Sequence, residues 1–337
     1  MLRVTKGLVT VAVILYSIPL TGWLLFRYWK GEAWPMVGFL NAVGIWWFAP
    51  LVILLPVALL VRARQASLMS GIILLVGVSF FGAEFTPARA RAEVGETPRL
   101  QVLTFNVLVS NRAFDEVVET IQTYQPDVIA VQELSPEMAD ALSASLRSSH
   151  PYQLLHPWRD PSGIGLLSRY PLEEGPTFSS RFWNNWGQAA IVNVEGHPVY
   201  LINVHLWPIG TLDREQFSRA LLLQHSQVRE LLTAVEEVDL PLLVVGDFNA
   251  SPTNETYAML SKYLDDVWRK VGMGPGFTFP SPAATFGWEY PFLRIDYIWM
   301  RGAISPLSIR VLRSVTGSDH LPLLAEFAVT PQSALPH

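Results

Sequence analysis

The sequence predicts an α/β domain preceded by a membrane anchor of three transmembrane helices. Three long uncharged stretches indicate the anchor, and short apolar, β-prone segments that alternate with helical ones indicate the domain. Polar residues also follow apolar segments at six places, and catalytic groups collect at strand ends and in loops. These six motifs are TFNVL (104–108), PDVIAVQEL (126–134), NVHL (203–206), GDFNA (246–250), RIDYIW (294–299) and SDHLP (318–322).

The first three elements are predicted to be transmembrane helices over about 7–28, 35–61 and 66–83. Each contains an uncharged stretch of about 20 residues or more, the length that crosses the hydrocarbon core as a helix. Pro50 and Pro56 lie inside the second stretch, which is compatible because membrane helices tolerate proline more than soluble ones do. A cleaved signal peptide is the alternative for the first stretch, but two further stretches follow it.

The positive charges in the short loops predict the orientation of the anchor. The N-terminal tail and the 62–64 loop share one side of the membrane and hold four Lys and Arg residues, against two in the 27–32 loop. Lys and Arg are enriched in cytoplasmic loops, so the large domain is predicted to lie outside the cytoplasm. Arg89, Arg91 and Arg99 follow the last span on the outer side and reduce this asymmetry.

After the anchor we expect a linker over 86–99, one domain over 100–330 and a short tail over 331–337. About 230 residues are enough for one full hydrophobic core. Apolar residues at helical spacing predict three helices, over 113–124, 136–147 and 213–237. Apolar, β-prone segments predict eight strands: LQVLTFNV, DVIAVQE, GIGLLS, AAIVNVE, VYLINVHL, LPLLVVGDF, LRIDYIWM and LPLLAEFAV.

Charge divides the chain into two unlike parts. Residues 1–94 contain 8 Lys and Arg and 3 Asp and Glu, whereas residues 95–337 contain 16 and 26, a formal balance of −10. An acidic domain gains little from nucleic-acid phosphates, so nucleic acid is not favoured as a partner, although a nuclease with a local basic patch stays open. The chain has no Cys, and its carboxylate-rich motifs favour an oxygen-ligated metal site of the Mg²⁺ type.

The order and local context of the six motifs resemble the endonuclease/exonuclease/phosphatase superfamily, the group with the deoxyribonuclease I-like fold. The resemblance covers about 100–330, and GDFNA and SDHLP are its most specific parts, followed by RIDYIW. It implies a four-layer α/β sandwich, with two sheets face to face and helices outside. It also implies a divalent-metal phosphoesterase that uses Mg²⁺, with Mn²⁺ as an alternative. The three spans resemble the membrane-anchored bacterial branch, which implies the bacterial cytoplasmic membrane.

Three residues are expected at the metal. Glu133 ends an apolar strand and offers a hard carboxylate ligand; in the resembling family this Glu is the main Mg²⁺ ligand, and a solvated strand-end Glu is the alternative. The resemblance places Asn106 in the metal's shell and near phosphate, whereas a turn-forming Asn is the alternative. Asp319 can support a metal as well.

Five further residues are predicted to carry out or support catalysis. Asp247 and Asn249 are two apart, so on an extended segment they point the same way. Asp247 can orient and deprotonate the attacking water, and Asn249 can donate to the phosphate. His320 can act as a cation or donor toward phosphoryl oxygens, with Asp296 as its partner. His205 resembles the family's other phosphate-binding histidine, although the sequence shows no obvious carboxylate to hold it.

Several other polar and aromatic residues are left with open roles. Arg169 and Arg294 recur in the family pattern and could serve structure or substrate. The other histidines, His150 and His225 among them, are expected on the surface or in loops. Aromatic residues in loops near the motifs could form an apolar rim for a lipid tail or could be ordinary packing: Trp183, Trp186, Trp207, Trp288 and Tyr290.

The motifs together favour a membrane-anchored, Mg²⁺-dependent phosphoesterase. Anchoring raises the effective concentration of membrane lipids, so the expected substrate is a phosphate ester of a lipid or a polyprenyl (pyro)phosphate. An extracytoplasmic nuclease is the alternative within enzymes. A catalytically silent binding module on a membrane anchor is the alternative from another class, and the complete acidic and histidine set argues against it, because burying unused charge is costly.

Overall fold

Two six-stranded β-sheets form the centre of the domain in this computed structural model, which describes residues 2–86, 97–176, 183, 185–282, 290–313 and 316–329. In chain order the strands are β1 (Arg99–Asn106), β2 (Val128–Gln132), β3 (Tyr152–His156), β4 (Ile164–Ser168), β5 (Leu172–Glu174), β6 (Gly187–Val194), β7 (His197–His205), β8 (Leu242–Asp247), β9 (Asp265–Asp266), β10 (Asp296–Arg301), β11 (Ile304–Val311) and β12 (Leu323–Val329). The first sheet has the order β11-β12-β1-β2-β4-β3, and the second has the order β5-β6-β7-β8-β10-β9.

The α-helices divide into an N-terminal group and a group that covers the sheets. The N-terminal group comprises α1 (Leu2–Lys30), α2 (Pro35–Ala42), α3 (Leu51–Leu60) and α4 (Arg64–Phe85). The second group comprises α5 (Phe114–Tyr124), α6 (Pro136–Leu146), α7 (Arg214–Glu236), α8 (Glu255–Leu260) and α9 (Val267–Val271). Two 3₁₀-helices, Gly31–Ala33 and Gly44–Phe48, lie on either side of α2.

The layers form because successive side chains of each strand pack on opposite faces of its sheet. Leu100 and Val102 of β1 belong to the core between the two sheets, whereas Leu103 and Phe105 of the same strand pack with α5 and α6. The second sheet does the same, with its outer face packed against α7 and α8. Because side chains of a strand point alternately to its two faces, each strand serves two cores. The expected four-layer α/β sandwich is confirmed.

The strands that the sequence did not predict lie at the edges of the sheets. β11 and β3 are the two edges of the first sheet, and β5 and β9 are the two edges of the second. An edge strand pairs on one side only and is partly exposed, so it lacks the continuous apolar run by which central strands are recognised. β11, for example, contains Pro306 and a register shift beside it.

The apolar N-terminal segment, residues 2–86, contains two described helices that are long and apolar enough to cross a membrane, over Arg3–Ala33 and Arg64–Phe85. The expectation of a single helix over 35–61 is corrected. In its place, α2 and the stretch Gly44–Leu60 form a pair bent by 71°, which by length and composition is either a broken span or a re-entrant loop. The described part therefore offers two spans, or three if the bent pair is one.

The bend in the second stretch follows from close packing on the domain. A Cβ at Gly38 of α2 would lie 2.4 Å from the ring of Phe217, and one at Gly44 would lie 2.4 Å from Thr253 Oγ1. A side chain at either position would have to displace Phe217 or Thr253, so glycine suits these close approaches. Pro50 lies in the second arm of the bent pair and immediately precedes α3, where its missing N–H is tolerated. The contacts hold α2 against the domain and α3 away from it.

Buried polar contacts also join the N-terminal segment to the domain. Arg294 Nη2 lies 3.0 Å from Glu84 Oε1 of α4, and Arg294 Nη1 lies 2.8 Å from Asp266 Oδ2. All three side chains are at most 3 % exposed. Asn254 Nδ2 donates to Glu32 Oε1 at 2.7 Å. The pairs Arg294–Glu84 and Asn254–Glu32 connect residues more than 200 positions apart in the chain, so the segment is fixed to the domain by specific contacts.

Two predicted regions fall largely beyond the described residues. Residues 87–96 of the linker predicted over 86–99, and all of the tail predicted over 331–337, lie outside the described residues, whereas Arg99 already belongs to β1. Trp288 lies outside it as well.

Candidate active site

The predicted site residues meet at one end of the sandwich because of strand register. β1 and β2 run parallel and end together at the pair Asn106–Gln132, and β7 and β8 run parallel and end together at His205–Asp247. β10 runs antiparallel to β8 and begins at Asp296, which is opposite Asp247.

These terminal residues also share the inner face of the sandwich. Val245 of β8, two positions before Asp247, belongs to the core between the sheets, and Ile298 of β10, two positions after Asp296, does the same. Residues two apart on a strand point the same way. The inner faces of both sheets therefore direct their last polar side chains into one space.

Asp247 is the centre of the cluster. Its side chain is buried, and Asn106 Nδ2 donates to Oδ2 at 3.0 Å while the backbone N–H of Asn249 donates to Oδ1 at 2.9 Å. His205 Nε2 and His320 Nε2 lie 3.5 and 3.6 Å from the same Oδ2. Burial raises the pKa of Asp247 to about 6, partly against the attraction of His320. The carboxyl is thus able to accept a proton near neutral pH.

Glycine is required directly before Asp247. Gly246 has a φ of +138°, and a Cβ there would lie 1.9 Å from the carbonyl oxygen of Val204. The close approach of β8 to β7 that aligns Asp247 with His205 therefore depends on the missing side chain. This accounts for the glycine of the GDFNA motif.

Glu133 lies one residue beyond β2 in a left-handed conformation, with φ of 55°. Asn106 Nδ2 donates to its Oε1 at 3.1 Å, and the backbone N–H of Val109 donates to Oε2 at 3.1 Å. The oxygen of the Asn106 amide accepts from Leu108 N at 3.0 Å. Asn106 therefore lies beside Glu133 and donates from its amide nitrogen to the carboxylates of Glu133 and Asp247, and its place in the metal's shell stays a prediction.

His320 and Asp296 form the expected pair. His320 Nδ1 lies 2.9 Å from Asp296 Oδ2, and both side chains are buried. Burial by itself lowers the pKa of His320, but the charges of Asp296 and Asp247 outweigh it and raise the pKa to about 10. The imidazole is therefore a cation across the neutral range. Ser318 fixes the loop, because its Oγ accepts from His320 N and donates to the carbonyl of Asn106.

His205 is held by a backbone carbonyl instead of a carboxylate. Its Nδ1 lies 3.0 Å from the carbonyl oxygen of Pro161, which assigns the proton to Nδ1 and directs Nε2 toward Asp247. The ring of Trp186 packs on the imidazole with centroids 4.7 Å apart. The partner that the sequence did not reveal is thus a main-chain group, which no residue type signals.

Asp319 faces the same space. Its Oδ1 is buried and has no hydrogen-bond partner among the described residues. Burial raises the pKa of Asp319, His320 opposes the shift, and the charge of Glu133 adds to it, so the two carboxylates act on each other. An unpartnered carboxylate oxygen near a second carboxylate suits a hard divalent cation. Glu133 and Asp319 therefore offer carboxylate oxygens of the kind that a hard divalent cation takes, and Asp247, Asp296 and His320 also lie close enough together to hold a metal ion.

Gln132 and Asn203 lie next to the cluster and were not predicted from the sequence. Gln132 Nε2 of the first sheet donates to Asn203 Oδ1 of the second at 2.6 Å, and Asn203 Nδ2 donates to the carbonyls of Val131 and Gly165. They tie the sheets together directly beneath the cluster. A signal was available, because Asn203 lies two before His205 and so on the same face, in an otherwise apolar strand.

The structure shows the partners of two arginines and one histidine whose roles the sequence left open. Arg169 lies near Asp127, at the opposite end of the first sheet, with Nη1 to Oδ1 at 3.6 Å. Arg294 binds Glu84 and Asp266, as described above, so both arginines serve structure. His150 is buried rather than exposed, with Nε2 2.8 Å from the carbonyl of Pro126.

The aromatic residues in the loops near the motifs differ in exposure. Trp183 and Trp186 are buried in the core beside α7, so they pack ordinarily and form no rim, whereas Tyr290 is 62 % exposed.

Comparisons with known proteins identify the family and the fold. The model of the Endonuclease/Exonuclease/phosphatase family matches residues 103–320. None of the curated proteins matches this sequence. Among solved structures, a family protein from Bacteroides thetaiotaomicron has a TM-score of 0.55 at 18 % identity, covering 72 % of this chain and 99 % of that one.

Two further structures have named activities or ligands. An AP endonuclease from Archaeoglobus fulgidus has a TM-score of 0.54 at 19 % identity over 67 % of this chain and 98 % of that one. The human nocturnin catalytic domain with bound sulfate has a TM-score of 0.52 at 21 % identity over 69 % and 94 %. At these identities the likeness shows the fold. The family match spans most of the chain, and with the assembled acid–histidine cluster it establishes that this chain belongs to the endonuclease/exonuclease/phosphatase family, as a metal-dependent hydrolase of phosphate ester bonds.

Proposed function

We propose that this protein is a membrane-anchored phosphoesterase that hydrolyses a phosphate ester of a membrane lipid or polyprenyl (pyro)phosphate. The observation that carries the proposal is the attachment of the apolar N-terminal segment next to the catalytic cluster. Asn254 and Thr253, which bond to Glu32 and Asn41 of that segment, lie only a few residues beyond Asp247.

This attachment holds the site at a fixed place relative to the membrane. A site held there meets lipid headgroups at high effective concentration. The acidic balance of residues 95–337 supports the same choice, because it does not attract polynucleotide phosphates.

The residues of the chain divide the chemistry among them. Asp247 orients the attacking water and accepts its proton, since its carboxylate is fixed by Asn106 and by the backbone of Asn249. His320, cationic through Asp296, donates from Nε2 to the phosphoryl oxygens as charge develops there.

A divalent cation such as Mg²⁺ would be held by Glu133 and Asp319. When bound it neutralises charge on the phosphate oxygens. His205 Nε2 lies 3.9 Å from Glu133 Oε1, so it borders both the metal position and the phosphate position.

The direct test is a substrate panel with the full-length protein in detergent. Phospholipids, polyprenyl pyrophosphate, sphingomyelin and plasmid DNA are each supplied with Mg²⁺, with Mn²⁺ or with EDTA. We expect turnover of a lipid phosphoester that EDTA abolishes. Hydrolysis of DNA with no hydrolysis of any lipid would reject the lipid proposal in favour of the nuclease alternative, and no turnover at all would favour the silent binding module.

The Asp247→Asn variant assigns the turnover to this site. It removes the proton acceptor while keeping the shape, and loss of a general base costs roughly 10²–10⁴-fold in rate. Asp239→Asn is the matched control, because Asp239 is exposed and lies outside the cluster. A wild-type rate in Asp247→Asn would reject the assigned role.

A further inference from the structure

An apolar cavity of about 460 Å³ lies between α2 and the catalytic domain. Phe39, Ala42 and Val43 of the N-terminal segment form one wall, and Ile209 and Phe217 of the domain lie opposite. The volume falls within the range of roughly 300–1,000 Å³ that is typical of ligand pockets. The cavity exists because α2 bends onto the domain rather than continuing the second stretch as a straight helix.

One end of the cavity borders the catalytic cluster. Asn249, Phe279 and Ile295 line it. The ring of Phe279 packs on the imidazole of His320 with centroids 4.9 Å apart, and Ile295 immediately precedes Asp296. A molecule in the cavity would therefore lie directly beside the position that the phosphate takes.

The opposite side of the cavity leads toward the apolar helices. Ala42 and Phe292 line both this cavity and a small neighbouring gap. Ile45 and Phe277 line both that gap and a wider apolar groove of about 660 Å³ beside α3 and α4. The cavity, the gap of about 10 Å³ and the groove thus lie side by side, from the catalytic cluster to the apolar helices.

The polar side chains in the lining bond mainly to protein groups. Gln224 Nε2 donates to the carbonyl of Trp207 at 2.8 Å, and Gln224 Oε1 accepts from Thr256 at 2.6 Å. Asn254 Oδ1 accepts from Ser251, and its Nδ2 donates to Glu32 as described above. Little hydrogen-bonding capacity is left for a polar ligand, so an apolar occupant gains most from entering.

We propose that this cavity binds one hydrocarbon chain of the lipid whose phosphate ester is hydrolysed. The N-terminal segment then does more than anchor the enzyme, because α2 supplies a wall of the substrate site. This inference rests on the proposed lipid phosphoesterase activity. It adds that specificity comes from the apolar chain, and that a lipid enters from the membrane side with its headgroup reaching Asp247 and His320.

A chain-length series tests the proposal. Phosphoesters with one headgroup and saturated chains of increasing length are assayed below their critical micelle concentrations, so that aggregation does not alter the measured rate. Each methylene that enters the cavity should raise kcat/KM about fourfold, since a buried methylene contributes about 0.8 kcal/mol and 1.4 kcal/mol is a factor of ten. The increase should stop when the cavity is full.

Two variants fill the cavity from opposite walls. Ala42→Trp enters from α2, and Ile209→Trp enters from the domain, so one remains informative if the other fails to fold. In both variants kcat/KM should stop rising at a shorter chain length than in wild type. For bis(p-nitrophenyl) phosphate, kcat/KM should stay within about twofold of wild type. Leu60→Trp is the matched control, because Leu60 is 81 % exposed on α3 and lies outside the cavity lining; it should behave as wild type.

The outcomes separate this inference from the function on which it rests. Lipid hydrolysis with no dependence on chain length, or with the wild-type dependence in both tryptophan variants, would overturn the cavity proposal and leave the lipid activity standing. If wild type hydrolyses bis(p-nitrophenyl) phosphate or DNA but no lipid at all, the proposed function itself fails, and the cavity proposal fails with it.

Discussion

Replacing Asp296 by Asn should move the alkaline limit of activity to lower pH. Asp296 lies 2.9 Å from His320 Nδ1 and is the main charge that raises the pKa of His320 to about 10. A histidine whose pKa is raised in the folded state stabilises the protein fully below its unfolded pKa of about 6.5, and this stability is lost as pH rises through about 10. Asp296→Asn removes most of that contribution at neutral pH.

The magnitude follows from the geometry. Two opposite charges about 3.5 Å apart at an effective dielectric of about 20 attract by roughly 5 kcal/mol, and one pKa unit corresponds to about 1.4 kcal/mol. A rise of the His320 pKa from 6.5 to about 10 is of this order even though burial of His320 opposes it. Asp247 still faces the imidazole in the variant, so we expect the pKa of His320 to fall by about two units rather than by the full amount.

The assay is the pH dependence of kcat/KM with a soluble phosphodiester. Wild type should stay active until pH approaches about 10, whereas Asp296→Asn should lose activity about two pH units lower. Near pH 6 the variant should keep a larger fraction of the wild-type rate than it keeps at alkaline pH. Asp239→Asn, an exposed substitution, controls for general effects of charge. Superimposable alkaline limbs in wild type and Asp296→Asn would refute the role of Asp296 as the group that positions and charges His320.

Three further outcomes are expected. Glu133→Gln should keep the fold and raise the Mg²⁺ concentration for half-maximal activity at least tenfold, since even indirect partners of a metal change affinity by roughly 10–100-fold; unchanged activity at limiting Mg²⁺ contradicts this. Arg294→Met removes the arginine shared by buried Glu84 and Asp266 and leaves Glu84 only the longer contact with Arg269, so it should cost about 3–5 kcal/mol of stability, seen as a lower Tm, whereas Arg159→Met, which breaks an exposed pair, should cost about 1 kcal/mol or less; equal Tm changes contradict the buried pair. Protease added to intact spheroplasts should remove the catalytic domain if it lies outside the cytoplasm; digestion only after lysis reverses the orientation.

The residues of the cluster could be singled out in the sequence because most of them lie at or next to an end of a recognisable strand, whereas their catalytic roles stay predictions. The apolar run before Asp247 defines β8, and a polar residue at the end of such a run has few structural reasons to be there. Glu133 after β2 and His205 at the end of β7 follow the same rule. What the sequence could not show was the partner of His205, because the carbonyl of Pro161 is a group that every residue carries.

The edge strands and the role of the buried Arg294 were harder to predict from the sequence for a related reason. β3, β5, β9 and β11 are edge strands, which have a neighbouring strand on one side only. Their sequences alternate only weakly between apolar and polar residues. Arg294 was a candidate for substrate or structure because it is the first residue of the RIDYIW motif and recurs in the family pattern. Its actual partner, Glu84, is 210 positions away on α4, and a pairing over that distance leaves no local pattern.

The sequence by itself determined which parts of the chain are apolar enough to enter a membrane, which segments form the central strands, and which polar residues end them. These properties depend on composition and on short-range periodicity, and both can be seen in a single chain. The tertiary structure alone decided that the second apolar stretch bends by 71°, that α2 rests on the domain, and that a cavity forms beside His320. Those features arise where Gly38 meets Phe217 and Gly44 meets Thr253. Such contacts join residues far apart in the chain, so they exist only once the two parts have folded against each other.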